Sequence, residues 1–161
     1  MKRLMFIVAI STMLAISASA QTKASKPSIS IGVDAGIPTS KGYSFVIGGS
    51  LQGDFNVASD LALTLSAGYK SWSIKDDFGG GSFGLVPVLG GIKYYFTPEV
   101  YGSGQLGISF STESGGGSLF TYAPGIGFKV SKNFDILAKY TGMSKNGNSL
   151  NEVGVRLAYG F

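Results

Sequence analysis

The chain contains no cysteine and no histidine among its 161 residues. Without cysteine there is no disulfide framework, no thiolate metal site and no lipid-modified cysteine anchor. Without histidine the commonest general base and the commonest metal ligand are both missing. Charge is scarce too: Asp, Glu, Lys and Arg make up 14% of the residues, where an ordinary soluble domain carries ~25%. Beyond the N-terminus no apolar run approaches the ~20 residues of a membrane-spanning helix. Clusters of Lys and Arg are absent, so nothing marks a nucleic-acid surface. What the chain has in quantity is glycine, 25 residues, with 11 Phe and 8 Tyr beside a single Trp.

The first twenty residues read as a secretory signal peptide. Lys2 and Arg3 form a positive n-region, and Leu4 to Ile16 an apolar h-region broken only by Ser11 and Thr12. Ala18, Ser19 and Ala20 form a small-x-small cleavage site that makes Gln21 the first mature residue. A membrane anchor helix would need a longer run. Gln21 in place of Cys excludes a lipoprotein. Two of the charges behind the formal net +4 leave with the leader. Residues 1–20 are thus expected to be a signal peptide and 21–161 a single domain.

The mature chain alternates apolar and polar residues with period two almost throughout, the signature of half-buried strands. Eight strands are predicted, at 28–37, 44–55, 61–71, 83–96, 100–111, 119–130, 134–142 and 150–161. The breaks after the even strands are short, at 57–60, 97–99 and 131–133. Those after the odd strands are longer, at 38–43, 72–82, 112–118 and 143–149, and rich in Gly, Ser, Lys, Asp and Asn. Gly79–Gly81 and Gly115–Gly117 make two of them flexible. Short turns at one end and longer loops at the other are the pattern of an up-and-down barrel of the outer-membrane type.

One parity of each strand carries no charge. Strand three gives Leu61, Leu63, Leu65, Ala67 and Tyr69 on that face, and strand eight gives Val153, Val155, Leu157, Tyr159 and Phe161. The opposite parity holds every strand charge: Asp34, Asp54, Lys70, Lys93, Lys129, Asp135, Lys139, Glu152 and Arg156. Three features decide that lipid bathes the apolar face. The polar face is too poor in charge and too rich in Gly and Ser for a solvated surface, whereas small residues suit a narrow eight-stranded lumen. Aromatics such as Phe45, Phe55, Tyr94, Phe96, Phe110, Phe120 and Phe134 gather near strand ends, as at the two membrane–water interfaces. The last residue, Phe161, continues the apolar face of strand eight. In lipid every backbone group must be paired, so the sheet is expected to close, strand eight on strand one.

With these features the chain resembles the small eight-stranded outer-membrane β-barrel family of Gram-negative bacteria, the "porin family" or outer membrane protein β-barrel domain. Residues 85–96 look like that family's fourth strand and 133–140 like its seventh. Residues 153–161 are similar to the C-terminal signal read by the barrel-assembly machinery, on Val153, Val155, Leu157, Tyr159 and Phe161. The resemblance implies an all-β, closed, antiparallel transmembrane barrel in the cell outer membrane. Its implied partners are outer-membrane lipid and the assembly machinery. It implies no transport activity.

Candidate chemistry is sparse. Gly102, Gly104 and Gly107 match G-x-G-x-x-G, but a dinucleotide site needs a helix next, and this match sits inside a strand. Asp76, Asp77 and Glu113 lack the alternating oxygens of a calcium loop, so no metal or cofactor is expected. The lumen charges carry more weight, because an unpaired charge in a narrow, dry interior is costly. Asp34, Asp54, Asp135 and Glu152 are expected to neutralise Lys70, Lys93, Lys129, Lys139 and Arg156 in a ladder that fills the bore. Glu152 and Arg156 lie about 13 Å apart along one strand, so they must reach to neighbouring strands. Serines such as Ser30 and Ser50 lack a base partner, which argues against an enzyme. The expected function is structural, or surface interaction through the loops, where Trp72, Ile74 and Phe78 offer apolar contacts for an unidentified ligand. The alternatives are a narrow pore for small solutes and a secreted soluble barrel that binds a hydrophobic ligand.

Overall fold

The computed structural model describes residues 27–113 and 115–161. The expected leader, with Ala18, Ala20 and Gln21, lies outside the described residues. Eight strands form in sequence: β1 (Ser28–Pro38), β2 (Tyr43–Asn56), β3 (Leu61–Ile74), β4 (Ser82–Tyr95), β5 (Val100–Ser111), β6 (Ser118–Lys129), β7 (Phe134–Lys145) and β8 (Asn148–Gly160). Each pairs antiparallel with the next, and β8 pairs with β1, so the sheet is a closed barrel. Closure leaves no strand edge unpaired, which is what a backbone in hydrocarbon requires.

Side chains alternate as the period-two pattern dictates. The uncharged parity points outward: Ile29, Ile31, Val33, Leu51, Leu63, Leu106, Val153 and Leu157 are all exposed. At one rim the outward aromatics touch edge to face, Tyr94 with Phe96, Phe134 with Tyr159, and Tyr159 with Phe161, at 5.3–5.5 Å between ring centres. The inward parity is buried, and it includes Asp34, Asp54, Lys70, Lys93, Glu152 and Arg156. Two inward glycines let strands curve into so narrow a cylinder. A Cβ on Gly91 would lie 2.0 Å from the Gly104 carbonyl oxygen, and one on Gly107 would lie 2.1 Å from that of Val88. Gly91 and Gly107 thus permit the close approach of β4 and β5.

The strands run further than their sequence pattern suggests at the end that carries the longer connections. β3 continues to Ile74 and β7 to Lys145, so much of 72–82 and 143–149 is strand. The β7–β8 connection is a two-residue turn, with positive φ at both Asn146 (48°) and Gly147 (83°), as a type I′ hairpin demands. The β3–β4 connection carries a 3-10 turn at Asp76–Phe78, closed by Gly79 in the left-handed region. It hydrogen-bonds to the β1–β2 turn through Lys75 N–H and the Gly42 carbonyl, 3.0 Å. This end is called the loop end below; the other, with connections 57–60, 96–99 and 130–133, is the turn end.

Candidate functional site

The lumen is filled in three layers. At the turn end Lys93, on β4, reaches across to Asp54 on β2 at 2.8 Å and to Asp135 on β7 at 4.0 Å. Tyr101 donates its hydroxyl to Asp135 at 2.6 Å, and the Lys93 ammonium lies 4.7 Å from the centre of the Tyr101 ring. Gln52 donates to the other Asp54 oxygen, at 2.8 Å. Lys129 sits at this mouth over the ring of Tyr95, 4.7 Å from its centre. It meets an aromatic face where the sequence suggested a carboxylate.

The middle layer joins strands that are not neighbours in the sheet. Lys70 on β3 pairs with Glu152 on β8, and Lys139 on β7 pairs with Asp34 on β1 at 2.6 Å. Asp34 also accepts the Ser50 hydroxyl at 2.6 Å. Arg156 stands directly opposite Asp34 in the β1–β8 register, yet its recorded bonds end on serines. Its Nε donates to Ser50 at 2.8 Å and its Nη2 to Ser30 at 3.2 Å. The ladder expected of nine charges is therefore a set of pairs among seven of them, with Arg156 bridged to Asp34 by a hydroxyl and Lys129 apart. Ser50 is occupied as that bridge, and Ser30 between Arg156 and the Gln52 carbonyl. Beside this layer lies a cavity of about 30 Å³, room for at least one water-sized particle.

Toward the loop end the interior turns apolar, which simple alternation of polar and apolar faces does not anticipate. Val46, Trp72, Leu85 and Met143 form a buried cluster, with Tyr43, Phe83, Leu119 and Leu150 packed against it. Trp72 was expected beside a loop as an exposed contact. It is 0% exposed instead, because β3 runs on past it and its parity points inward. Its ring stacks with Phe83 and meets Tyr43 edge-on. A one-residue register shift in β2 between Tyr43 and Val46 lets both join the plug. Of the apolar loop candidates, Phe78 is exposed, at 64%, and Ile74 half-buried. Asp76 and Asp77 are exposed on the same turn. At the β5–β6 connection Lys145 donates to the Gly116 carbonyl.

A closed eight-stranded barrel with an apolar outside, an aromatic rim and a charge-paired inside is an integral membrane β-barrel. Residues 6–161 match the family described as "Outer membrane protein beta-barrel domain", and the chain belongs to that family, whose place is the outer membrane. Among solved structures it is similar to the attachment invasion locus protein Ail of Yersinia pestis, at 20% identity over 84% of this chain and 97% of that one, with a TM-score of 0.62. It is similar to Neisserial surface protein A at 14% identity, over 87% of this chain and 100% of that one, TM-score 0.53. A de novo designed transmembrane β-barrel matches as well, at 20% identity over 86% and 99%, TM-score 0.57. A barrel designed from nothing fits as closely as natural ones, so these likenesses carry fold alone. No curated protein matches the chain.

Proposed function

We propose that the protein is a non-enzymatic outer-membrane scaffold that presents its loop end to the cell's surroundings and conducts nothing through its core. The observation that carries this reading is the filled lumen: ion pairs at the turn end and middle, an aromatic–aliphatic plug at the loop end, and a small cavity between. A pore needs a continuous water path, and eight strands leave a bore that side chains just fill. The serines nearest to buried charge, Ser30 and Ser50, lie inside this packing where no substrate reaches. Two proteins of the same fold are named for attachment and for the surface, which supports a surface role. The Yersinia barrel is also crystallised with a heparin analogue. Here Lys41, Lys75 and Lys145 at the loop end are matched by Asp76, Asp77 and Glu113, so a polyanion is not the partner these connections favour. Lipid covers the apolar face, and the assembly machinery reads Val153, Val155, Leu157, Tyr159 and Phe161.

Two measurements test the reading. In planar bilayers the refolded protein is expected to give no stable current steps; a steady conductance overturns the scaffold reading in favour of the pore. The absence of native cysteine allows single-site labelling. Lys75→Cys on intact cells is expected to react with a membrane-impermeant maleimide, and Asp60→Cys only after the outer membrane is permeabilised. The reverse pattern refutes the proposed orientation.

A further inference from the structure

The middle layer of the lumen is out of charge balance. It holds three cations, Lys70, Lys139 and Arg156, against two carboxylates, Asp34 and Glu152. Each carboxylate already has a lysine. Arg156 is 2% exposed, and among the described residues no carboxylate lies within 4.0 Å of it. A guanidinium does not discharge by losing a proton, and its five donors are only partly used by Ser50 and Ser30. The turn-end layer has no carboxylate to spare: Asp54 and Asp135 are turned to Lys93, Gln52 and Tyr101, and Lys129 stands at the same mouth.

The cavity of about 30 Å³ lies beside this layer, and Lys70, Lys139 and Arg156 all line it. Thr141 lines it too; its hydroxyl is buried and has no hydrogen-bond partner. Asp34 reaches the lining too: its Oδ2 accepts from Ser50, and its Oδ1 is ion-paired with Lys139 at 2.6 Å but accepts no hydrogen bond. Glu152 is not on the lining; its second oxygen faces β1, where a Cβ on Gly36 would meet it at 3.0 Å. The free donors at this gap are cationic or hydroxylic, and a neutral water would leave a full positive charge uncompensated in a dry interior.

We propose that the cavity binds one small monovalent anion, a halide, held by Arg156, Lys139, Lys70 and the Thr141 hydroxyl. The site is a structural counter-ion site, between the apolar plug on one side and the Lys93–Asp54 layer on the other. The protein is therefore refolded in sodium bromide and crystallised in it, and bromine is located by its anomalous scattering. One peak is expected in the lumen, within hydrogen-bonding reach of Arg156 and Lys139. A lumen without a peak, or bromine on the outer surface only (an adventitious ion only), overturns the proposal. In solution, the melting temperature is expected to be higher in bromide than in equal methanesulfonate, a bulkier polyatomic anion, and to rise with bromide concentration by binding linkage. Arg156→Gln removes the surplus charge and is expected to abolish that difference; a difference that survives in Arg156→Gln counts against the site. If that variant fails to fold, the bromine map of the unaltered protein still decides, and Thr141→Val is expected to shrink the bromide effect.

Discussion

Replacing Lys70 by Met leaves Glu152, 1% exposed, without the ammonium it pairs with across the lumen. The carboxylate is then buried and unpaired, and breaking a buried pair by removing one member costs about 3–5 kcal/mol. Lys70→Met is thus expected to lose about 3–5 kcal/mol. Removing the carboxylate as well, in Lys70→Met/Glu152→Leu, is expected to recover most of the loss, because two apolar groups of similar volume replace a pair rather than orphan one member. The assay is urea unfolding in detergent micelles or lipid vesicles, completed as a double-mutant cycle. Additive single-site losses would refute the cross-lumen pairing.

Other perturbations separate the faces and ends of the barrel. Leu65→Arg puts a charge on the lipid face and is expected to cost about 2–4 kcal/mol, while Ser66→Thr, one residue on and inward, costs far less; equal losses in the same unfolding assay contradict the facing. Trp72→Ala empties the middle of the loop-end plug and is expected to lower stability by about 3–5 kcal/mol with single-channel current still absent, since the charged layers below remain. Gly147→Val forces a β-branched residue to φ 83° in the β7–β8 turn and is expected to cost about 1–2 kcal/mol, measured as a fall in urea midpoint. Removal of Phe161 is expected to slow assembly into membranes more than it lowers the stability of protein already folded, read by the heat-modifiable gel shift over time.

The fold was legible because period two is strict. Each of the eight strands overlaps its predicted span, and the lipid-facing parity can be read from Ile29 to Phe161 without a charge. Charge made the inside visible, since Asp34, Lys70 and Glu152 share one parity. What escaped was carried by apolar residues on that same parity. Trp72 and Phe83 lie beyond the charges of their strands, and Met143 between Lys139 and Lys145, all near Gly and Ser, and nothing local separates a strand that projects past the charged layers from a loop. The turn at Asn146–Gly147 was signalled by its own dipeptide, the strongest hairpin signal in a sequence, but polar neighbours made the segment look like a longer loop. Pairing partners were the least legible feature. Arg156 faces Asp34 in register, yet the outcome depends on Ser50 standing between them and on Lys139 reaching Asp34 first, a three-dimensional contest that spacing along one strand does not encode.

Trp72 is the chain's single tryptophan, and it sits inside the cylinder beside Tyr43 and Phe83. Its emission consequently reports on the closing of the barrel's interior rather than on contact with the bilayer. Quenchers attached to acyl chains will barely touch it, and a fluorescence change during refolding dates the moment the staves come together, not the moment the ribbon first enters lipid.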